Sequence, residues 1–386
     1  MEQITGYLRA DGKIGVRNHV LVIPSSGCAL HVAKMITRKV PGAVCLANQY
    51  GCGQIGKDLE QTFRTLAGLG RNPNVGAVMV VGLGCESLQP GLLADNIALS
   101  GKPVEMIIIQ NNGGTSGAIA KGTQLLKKLA ANVAKAEPSH YPASEIILGL
   151  ECGASDATSG LAANPSLGYA ADMLVQSGGS IILSETVEII GAEHVLARRA
   201  ANPEIAAKLL GVVQAFEQRV VNEGSDIRDT QPTPGNKAGG ITTLEEKSLG
   251  CIYKAGTTAV NDVLAYAEGI RGKGLSVMDT PGHDIQSMIG MLAGGAQIVA
   301  FTTGRGSPCG TPIAPVVKIT ANKQTYAKMM DNIDVYVGGV IEGSSSIQVS
   351  GAQIYEQVMA ACNGQLTCSE KLQHREFALW RIGTSY

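Results

Sequence analysis

Three cysteines stand in one local context. Cys28, Cys52 and Cys85 each follow a short apolar run by a few residues, and each has a glycine beside it. The runs are 19–24 ahead of Ser-Ser-Gly-Cys, 43–47 ahead of Asn-Gln-Tyr-Gly-Cys, and 77–82 ahead of Leu-Gly-Cys-Glu. In an open α/β sheet, ligands gather at the carboxyl ends of parallel strands. Three thiols at three such ends converge on one crevice, and they suit a soft metal or an iron–sulfur cluster. The competing reading of a cytosolic cysteine is core packing. It is the expectation for Cys45, Cys251 and Cys362, which lie in apolar or mixed runs, while Cys309 and Cys368 fit either.

Other residues carry weaker signals. Cys152 also stands just past an apolar run, 146–150. Glu185 and Glu188 follow another such run. Two carboxylates three apart can share a helical turn and act as a base or bind a cation; the alternative is a solvated helix start. Asn236 and Lys237 sit in a glycine-bounded loop where backbone N–H groups can approach an anion. Arg305, in Thr-Gly-Arg-Gly after a strand, offers the paired donors that match a carboxylate. Glu245, Glu246 and Lys247 read by themselves as a solvated helix face. His31 and His283 point to nothing specific, and no H-E-x-x-H, Walker or G-x-S-x-G pattern occurs.

The elements that must position these groups follow from alternation. Strand-like runs at 19–24, 43–47, 77–82 and 104–110 alternate with helical patterns at 29–39, 58–68, 92–99 and 116–136. That predicts a doubly wound parallel sheet, flavodoxin-like or Rossmann-like, over 1–140. Residues 51–56 match G-x-G-x-x-G, but a cysteine inside the turn serves no phosphate, so the match is taken as accidental. The polar stretch 135–144, with two prolines, is the expected linker. A second α/β domain is expected over 145–386, with strands at 146–150, 180–184, 275–278, 297–302 and 316–319. Helices are expected at 160–176, 192–223 and 355–361, and irregular loops at 225–240 and 338–350.

Composition excludes several classes. In 386 residues the formal net charge is −1 and aromatics are 4%, so neither a basic face nor a stacking platform for nucleic acid is present. No secretory leader and no run of 18 apolar residues is visible, so a cytoplasmic protein without membrane spans is expected. In that setting nine cysteines are free thiols or metal ligands rather than disulfides.

Several blocks occur in order: Tyr-Gly-Cys-Gly from Tyr50, Gly-Leu-Gly-Cys-Glu from Gly82, Glu-Cys-Gly-Ala-Ser-Asp from Glu151, Ala-Asn-Pro from Ala163, the long PGNKAGGITTLEEKSLG from Pro234, and Thr-Gly-Arg-Gly from Thr303. In these the chain resembles the altronate/galactarate dehydratase family, from about Gly6 to about Gly383. The resemblance implies dehydration of a sugar acid to a 2-keto-3-deoxy acid. It places Cys152, Ser155, Asp156, Asn236, Lys237 and Arg305 around the substrate and gives Glu185 or Lys247 the proton handling. The cofactor expected at Cys28, Cys52 and Cys85 is iron, as an iron–sulfur cluster or a single Fe2+, with Mn2+ as the alternative. Fused members of the family carry an N-terminal SAF-like domain ahead of the GYLRADG segment. The chain is therefore similar to the large subunit of a split enzyme, with a separate small SAF-like subunit as expected partner; a homo-oligomer is compatible. Altronate is preferred over galactarate because 240–251 looks closer to that branch. Two alternatives are kept: a sulfolactate sulfo-lyase large subunit, against which the three thiols speak, and a noncatalytic iron- or redox-sensing subunit.

Overall fold

The computed structural model describes residues 2–386. The chain opens on β1 (Gln3–Leu8), antiparallel to β2 (Ile14–Gly15). Then β3 (His19–Pro24), β4 (Ala43–Cys45), β5 (Val75–Gly82) and β6 (Val104–Ile108) alternate with α1 (Gly27–Thr37), α2 (Gly56–Arg71), α3 (Pro90–Ala98) and α4 (Gly114–Val133). The four strands form a parallel sheet ordered β4-β3-β5-β6. Along β3, Val20 and Val22 pack toward α1 and α4, while Leu21 and Ile23 pack toward α2 and α3. Burial on both faces is why the strand reads as one unbroken apolar run. Helix α2 stops at Arg71 because Asn72 precedes Pro73, which forces it extended (φ −52°, ψ 137°).

The expected linker contains a strand. β7 (Ser139–Pro142) returns to pair with β1, making a small antiparallel sheet β2-β1-β7. Its flanking Pro138 and closing Pro142 are tolerated because it is an edge strand.

The rest of the chain builds β8 (Ile147–Gly153), α5 (Asn164–Gln176), β9 (Ser180–Leu183), β10 (Val260–Leu264), β11 (Gly274–Met278), β12 (Ile298–Thr303), β13 (Val316–Thr320) and β14 (Val335–Tyr336). They form a seven-stranded parallel sheet ordered β10-β11-β9-β8-β12-β13-β14. Each large sheet therefore has one strand with later strands on both sides: β3 in the first, β8 in the second. Crevices open beside such reversal strands.

The two sheets share an apolar layer. Leu66 and Leu69 of α2 join Met288, Met291 and Leu292 of helix Asp284–Ala293 in one buried cluster. The helices meet at Gly68, where a Cβ would stand 2.4 Å from the Ala293 carbonyl oxygen. Each large side chain buried there contributes about 1.5–3 kcal/mol.

Two expected segments differ in detail. The helix over 192–223 is broken into Glu193–Ala197 and Pro203–Asn222, because Asn202 caps the second piece on Ile205 N–H and Pro203 opens it. The irregular stretch 225–240 holds two short helices, Ile227–Thr230 and Pro234–Ala238.

Candidate active site

The three sequence-selected thiols stand on the loops that follow β3, β4 and β5, three neighbouring strands. All three are exposed and unbridged. Cys28 is the second residue of α1, while Cys52 and Cys85 lie in irregular turns. One carboxylate ties two of these loops together: Glu86 accepts from Ser25 Oγ (2.5 Å), Leu83 N–H (2.9 Å) and Gly84 N–H (2.6 Å). Burial alone raises its carboxyl, but the Ser25 hydroxyl and these backbone donors outweigh burial and hold it below the ordinary range. The second thiol loop, after β4, is pressed against the first. At Gly51 (φ 113°) a Cβ would meet the Ser25 carbonyl oxygen at 1.9 Å, and the Gly51 carbonyl accepts from Leu88 N–H at 2.7 Å. The chain's last residues reach the same place. Tyr386 N–H donates to the Gly53 carbonyl (3.2 Å), and its hydroxyl lies 3.3 Å from Ser87 Oγ. A cleft of about 190 Å³ runs from Ala47, Gln49 and Tyr50 of the second thiol loop to Gln286 on the other sheet's helix.

At the end of β8 stands a contrasting, buried group. Cys152 and Glu151 close β8, Glu185 and Glu188 follow β9, Cys251 and Lys247 come from helix Leu244–Ile252, and Lys254 from the turn Tyr253–Ala255. Lys254 Nζ donates to Glu185 Oε2 (2.6 Å) and Cys152 Sγ (2.9 Å). The Cys152 and Cys251 thiols both donate to Glu188 Oε2 (2.8 and 2.7 Å), and their sulfurs are 3.3 Å apart. Lys247 Nζ pairs with Glu188 Oε1 at 2.8 Å. Burial and the Glu188 charge push Glu185 up to about 7, against the pull of Lys254. Burial also works to raise Glu188, yet Lys247 and Lys254 outweigh it and hold Glu188 down at about 2. Burial opposes the Lys254 charge, but Cys152, Glu185 and Cys251 outweigh it and hold that charge well above the ordinary lysine range. Backbone strain marks the spot: Glu185 (φ 67°) and Ala154 (φ 49°) are left-handed non-glycines. Glu185 is pinned so by its N–H on Thr280 Oγ1 (2.6 Å).

Ligand atoms of Cys152, Glu188 and Cys251 lie within 4.8 Å of one another, so this group could bind a metal. Such an ion would share the site with the Lys247 and Lys254 ammoniums that already offset its acids. Among the described residues, Cys28, Cys52 and Cys85 do not form a group that tight.

The remaining sequence-selected residues flank this group. Ser155 is buried with an unpartnered hydroxyl, and it lines a cavity of about 250 Å³ with Asp156, Lys247 and Cys251. Asp156 also lines a larger cavity of about 780 Å³ together with Arg305, Asn322 and Lys328. Arg305 is exposed and donates to the Gly235 carbonyl (3.0 Å). The Asn236 amide is used within the protein: it donates to the Ser155 carbonyl (2.9 Å) and caps its own short helix through Thr233. Lys237 is exposed on that helix and lines neither cavity.

Sequence reasoning missed Lys254 and placed Cys251 in the core, and the segment around Lys247, taken by itself, read as a solvated face. Cys251, expected among core residues, is buried but faces Cys152 and Glu188. Lys247 lies on the buried face of its helix with Leu244, Ser248, Cys251 and Ile252, a 3-1-3-1 spacing visible in the sequence.

Reversal strands that end on thiols and carboxylates in two packed parallel sheets define an α/β enzyme whose chemistry gathers at strand ends. Residues 6–134 match the family described as D-galactarate dehydratase/Altronate hydrolase, second domain, and residues 143–385 match D-galactarate/Altronate dehydratase, C-terminal. The chain belongs to the altronate/galactarate dehydratase family of hydro-lyases. It is 36% identical over 390 residues to an altronate dehydratase of Bacillus subtilis, covering 98% of this chain and 78% of that one. It is 37% identical over 379 residues to the (2R)-sulfolactate sulfo-lyase subunit beta of Chromohalobacter salexigens, covering 98% and 97%. Against galactarate dehydratase (L-threo-forming) of Escherichia coli it is 33% identical over 380 residues, covering 93% and 72%. No helix among the described residues is long and apolar enough to cross a membrane.

Proposed function

We propose that the chain dehydrates a sugar acid such as altronate or galactarate to a 2-keto-3-deoxy acid, with iron held by Cys28, Cys52 and Cys85. The observation that carries this is the placement of three exposed thiols on adjacent loops around the β3 reversal, joined through Ser25, Gly51 and Glu86. The donor set fits iron: three soft ligands, accessible from solvent and next to a cleft. Three thiolates suit iron better than Mn2+, which prefers carboxylates and water, and a cluster is preferred over a single ion.

Bound there, iron supplies a Lewis acid for the departing β-hydroxyl. The chain's own groups do the rest. Arg305 anchors the substrate carboxylate through its planar fork. Ser155 lines the smaller cavity and Asp156 lines both, while Cys152 is buried against Cys251 and Lys254. The proton next to the carboxylate is weakly acidic and needs a base near neutral pH. Glu185, pushed up to about 7, is the group able to accept it, while Lys247, held as an ammonium by Glu188 at 2.8 Å, lines the smaller cavity as a proton donor to substrate oxygens. Asn236 acts by fixing the Ser155 loop. The strand order β4-β3-β5-β6 supports a flavodoxin-like reading of the first unit.

A second reading is a sulfolactate sulfo-lyase large subunit. The match through 97% of a protein named subunit beta favours it, and the same match supports a separate small subunit as partner. Anaerobic purification, iron loading, and assay of 2-keto acid and sulfite release from hexonates, hexarates and sulfolactate, with and without the small subunit, separates the readings. Keto acid from a sugar acid is the expected result. Sulfite from sulfolactate alone overturns it in favour of the second reading, and no product from any substrate leaves an iron-sensing subunit.

A further inference from the structure

The buried group at the end of β8 holds two thiols whose sulfurs the proposed reaction does not use. Cys152 Sγ and Cys251 Sγ are 3.3 Å apart, inside the about 3.5–4 Å of an ordinary carbon–carbon contact. They come from residues 99 positions apart, one on β8 and one on helix Leu244–Ile252. Two glycines let that helix close on the strand end. A Cβ at Gly250 would stand 3.0 Å from the Gly160 Cα, and one at Gly160 would stand 3.2 Å from the Gly250 Cα. Asn164 Nδ2 donates to the Gly250 carbonyl at 3.0 Å. The approach of the two sulfurs is thus built into the fold one residue before Cys251.

The two thiols differ in access. Cys251 lines the cavity of about 250 Å³ with Ser155, Asp156 and Lys247, while Cys152 lies behind it and is not part of that lining. A water takes about 30 Å³ of liquid volume, so the cavity admits a small oxidant of two oxygen atoms. Burial holds Cys152 well above the ordinary thiol range. At Cys251 the hydrogen bond with Cys152 pulls downward, but burial outweighs it and that thiol is raised too. Few thiolates are present at neutral pH, so the pair answers to peroxide in excess rather than to traces.

We propose that Cys152 and Cys251 are an oxidation site, which hydrogen peroxide converts to a reversible disulfide that stops turnover. The Cys251 sulfur attacks one peroxide oxygen and the O–O bond breaks. The departing hydroxide takes the Cys251 thiol proton and leaves as water, so Cys251 becomes a sulfenic acid. The Cys152 sulfur then attacks the Cys251 sulfur and the S–O bond breaks. That hydroxide takes the Cys152 proton and leaves as a second water. Two thiols lose two electrons between them, and one peroxide is reduced to two waters. Glu188 Oε2, 2.7 Å from Cys251 Sγ and 2.8 Å from Cys152 Sγ, carries each proton in transit. Closing from 3.3 Å to a bond of about 2.05 Å takes a movement of about 1.3 Å shared between the sulfurs. The disulfide strips Glu188 Oε2 of both thiol donors. It also disturbs Lys254, which links Cys152 (2.9 Å) to Glu185 (2.6 Å). The loss of turnover rests on the dehydratase reading, with Glu185 as proton acceptor; the bond itself does not.

The test adds excess hydrogen peroxide to the full chain, alkylates the remaining thiols, digests without reductant and reads the peptides by mass spectrometry. The expected product is one selective cross-link, Cys152 to Cys251, in most chains, and dithiothreitol should return both as free thiols. The same treatment in urea should give mixed pairs, because the selectivity belongs to the fold. Iron is reloaded before each assay, so that damage at the exposed thiol loops is not counted. Turnover should then fall in proportion to the cross-linked fraction and return on reduction. In Cys251→Ala the cross-link should be absent, and the reversible loss with it. The cross-link in the unaltered chain carries the test even if that variant fails to fold. Recovery of Cys152 and Cys251 separately, as free thiols or sulfinic acids, overturns the proposal, as does a folded chain whose pairs are as mixed as those in urea. A cross-link that leaves turnover intact overturns the switch. A chain that forms the cross-link yet never turns over a sugar acid overturns the dehydratase reading and leaves the oxidation site standing.

Discussion

The thiols at the end of the first sheet and those at the end of the second have opposite surroundings. Cys28, Cys52 and Cys85 are exposed, and their loops are held by hydrogen bonds that leave the sulfurs themselves free. Cys152 and Cys251 are buried and already engaged by Glu188 and Lys254. The same element thus meets different surroundings at the two sheets. The first set is open to solvent and unbridged. The second is balanced internally by two lysines, which pull Glu188 down while burial and the Glu188 charge push Glu185 up.

This contrast can be broken by experiment. Cys52→Ser should lower turnover by about 100-fold or more and remove iron, with a stability change within about 0.5 kcal/mol, because the residue is exposed. Comparing iron content, rate and urea midpoint checks all three, and a large loss of stability would erase the distinction. Lys254→Met should do the reverse. It strands Glu185 as a buried carboxylate without its partner and should destabilise the fold by about 3–5 kcal/mol in urea unfolding. A change under about 1 kcal/mol would show that the buried group is not balanced as described. Gly68→Ala tests the layer joining the two sheets. The Cβ has to displace the Ala293 backbone, so a loss of about 1–3 kcal/mol is expected by thermal unfolding.

The smallest effect concerns the C-terminal segment that reaches the thiol loops. Asp58 accepts from Gln54 Nε2, Ile382 N–H and Arg381 Nε. Burial works to raise its carboxyl, but these donors outweigh burial and hold it below the ordinary 3.8. A depressed carboxyl contributes stability that is present above pH 3.8 and is lost as pH falls through the lower folded value. Fluorescence of Trp380, the chain's one tryptophan, should therefore report loosening of the tail only in that acid window. In Asp58→Asn the loosening should already be visible at neutral pH.

Much of the framework was legible because buried parallel strands leave unbroken apolar runs. The first four strand expectations coincide with β3 to β6 within a few residues. The placement of Cys28, Cys52 and Cys85 at strand ends could be read for the same reason. Pairing between distant segments leaves no such trace, so β7 passed for linker. Lys254 was illegible for a different reason. A single lysine in Cys-Ile-Tyr-Lys-Ala-Gly reads as surface. It is turned inward because Gly168 lets α5 close on the Tyr253 carbonyl, where a Cβ would stand at 2.1 Å. That contact joins residues 85 positions apart and has no local signature. Lys247 was recoverable from helical spacing, had the helix been phased on Leu244 rather than on its charges.

The most direct measurement is the anaerobic EPR and Mössbauer spectrum of the iron-loaded chain beside its Cys28→Ser, Cys52→Ser and Cys85→Ser variants. The account predicts an iron signal bearing sulfur ligation that is lost or altered in each variant while the folded state persists. An identical iron spectrum in all three, or iron that vanishes only with Cys152 or Cys251, would contradict it.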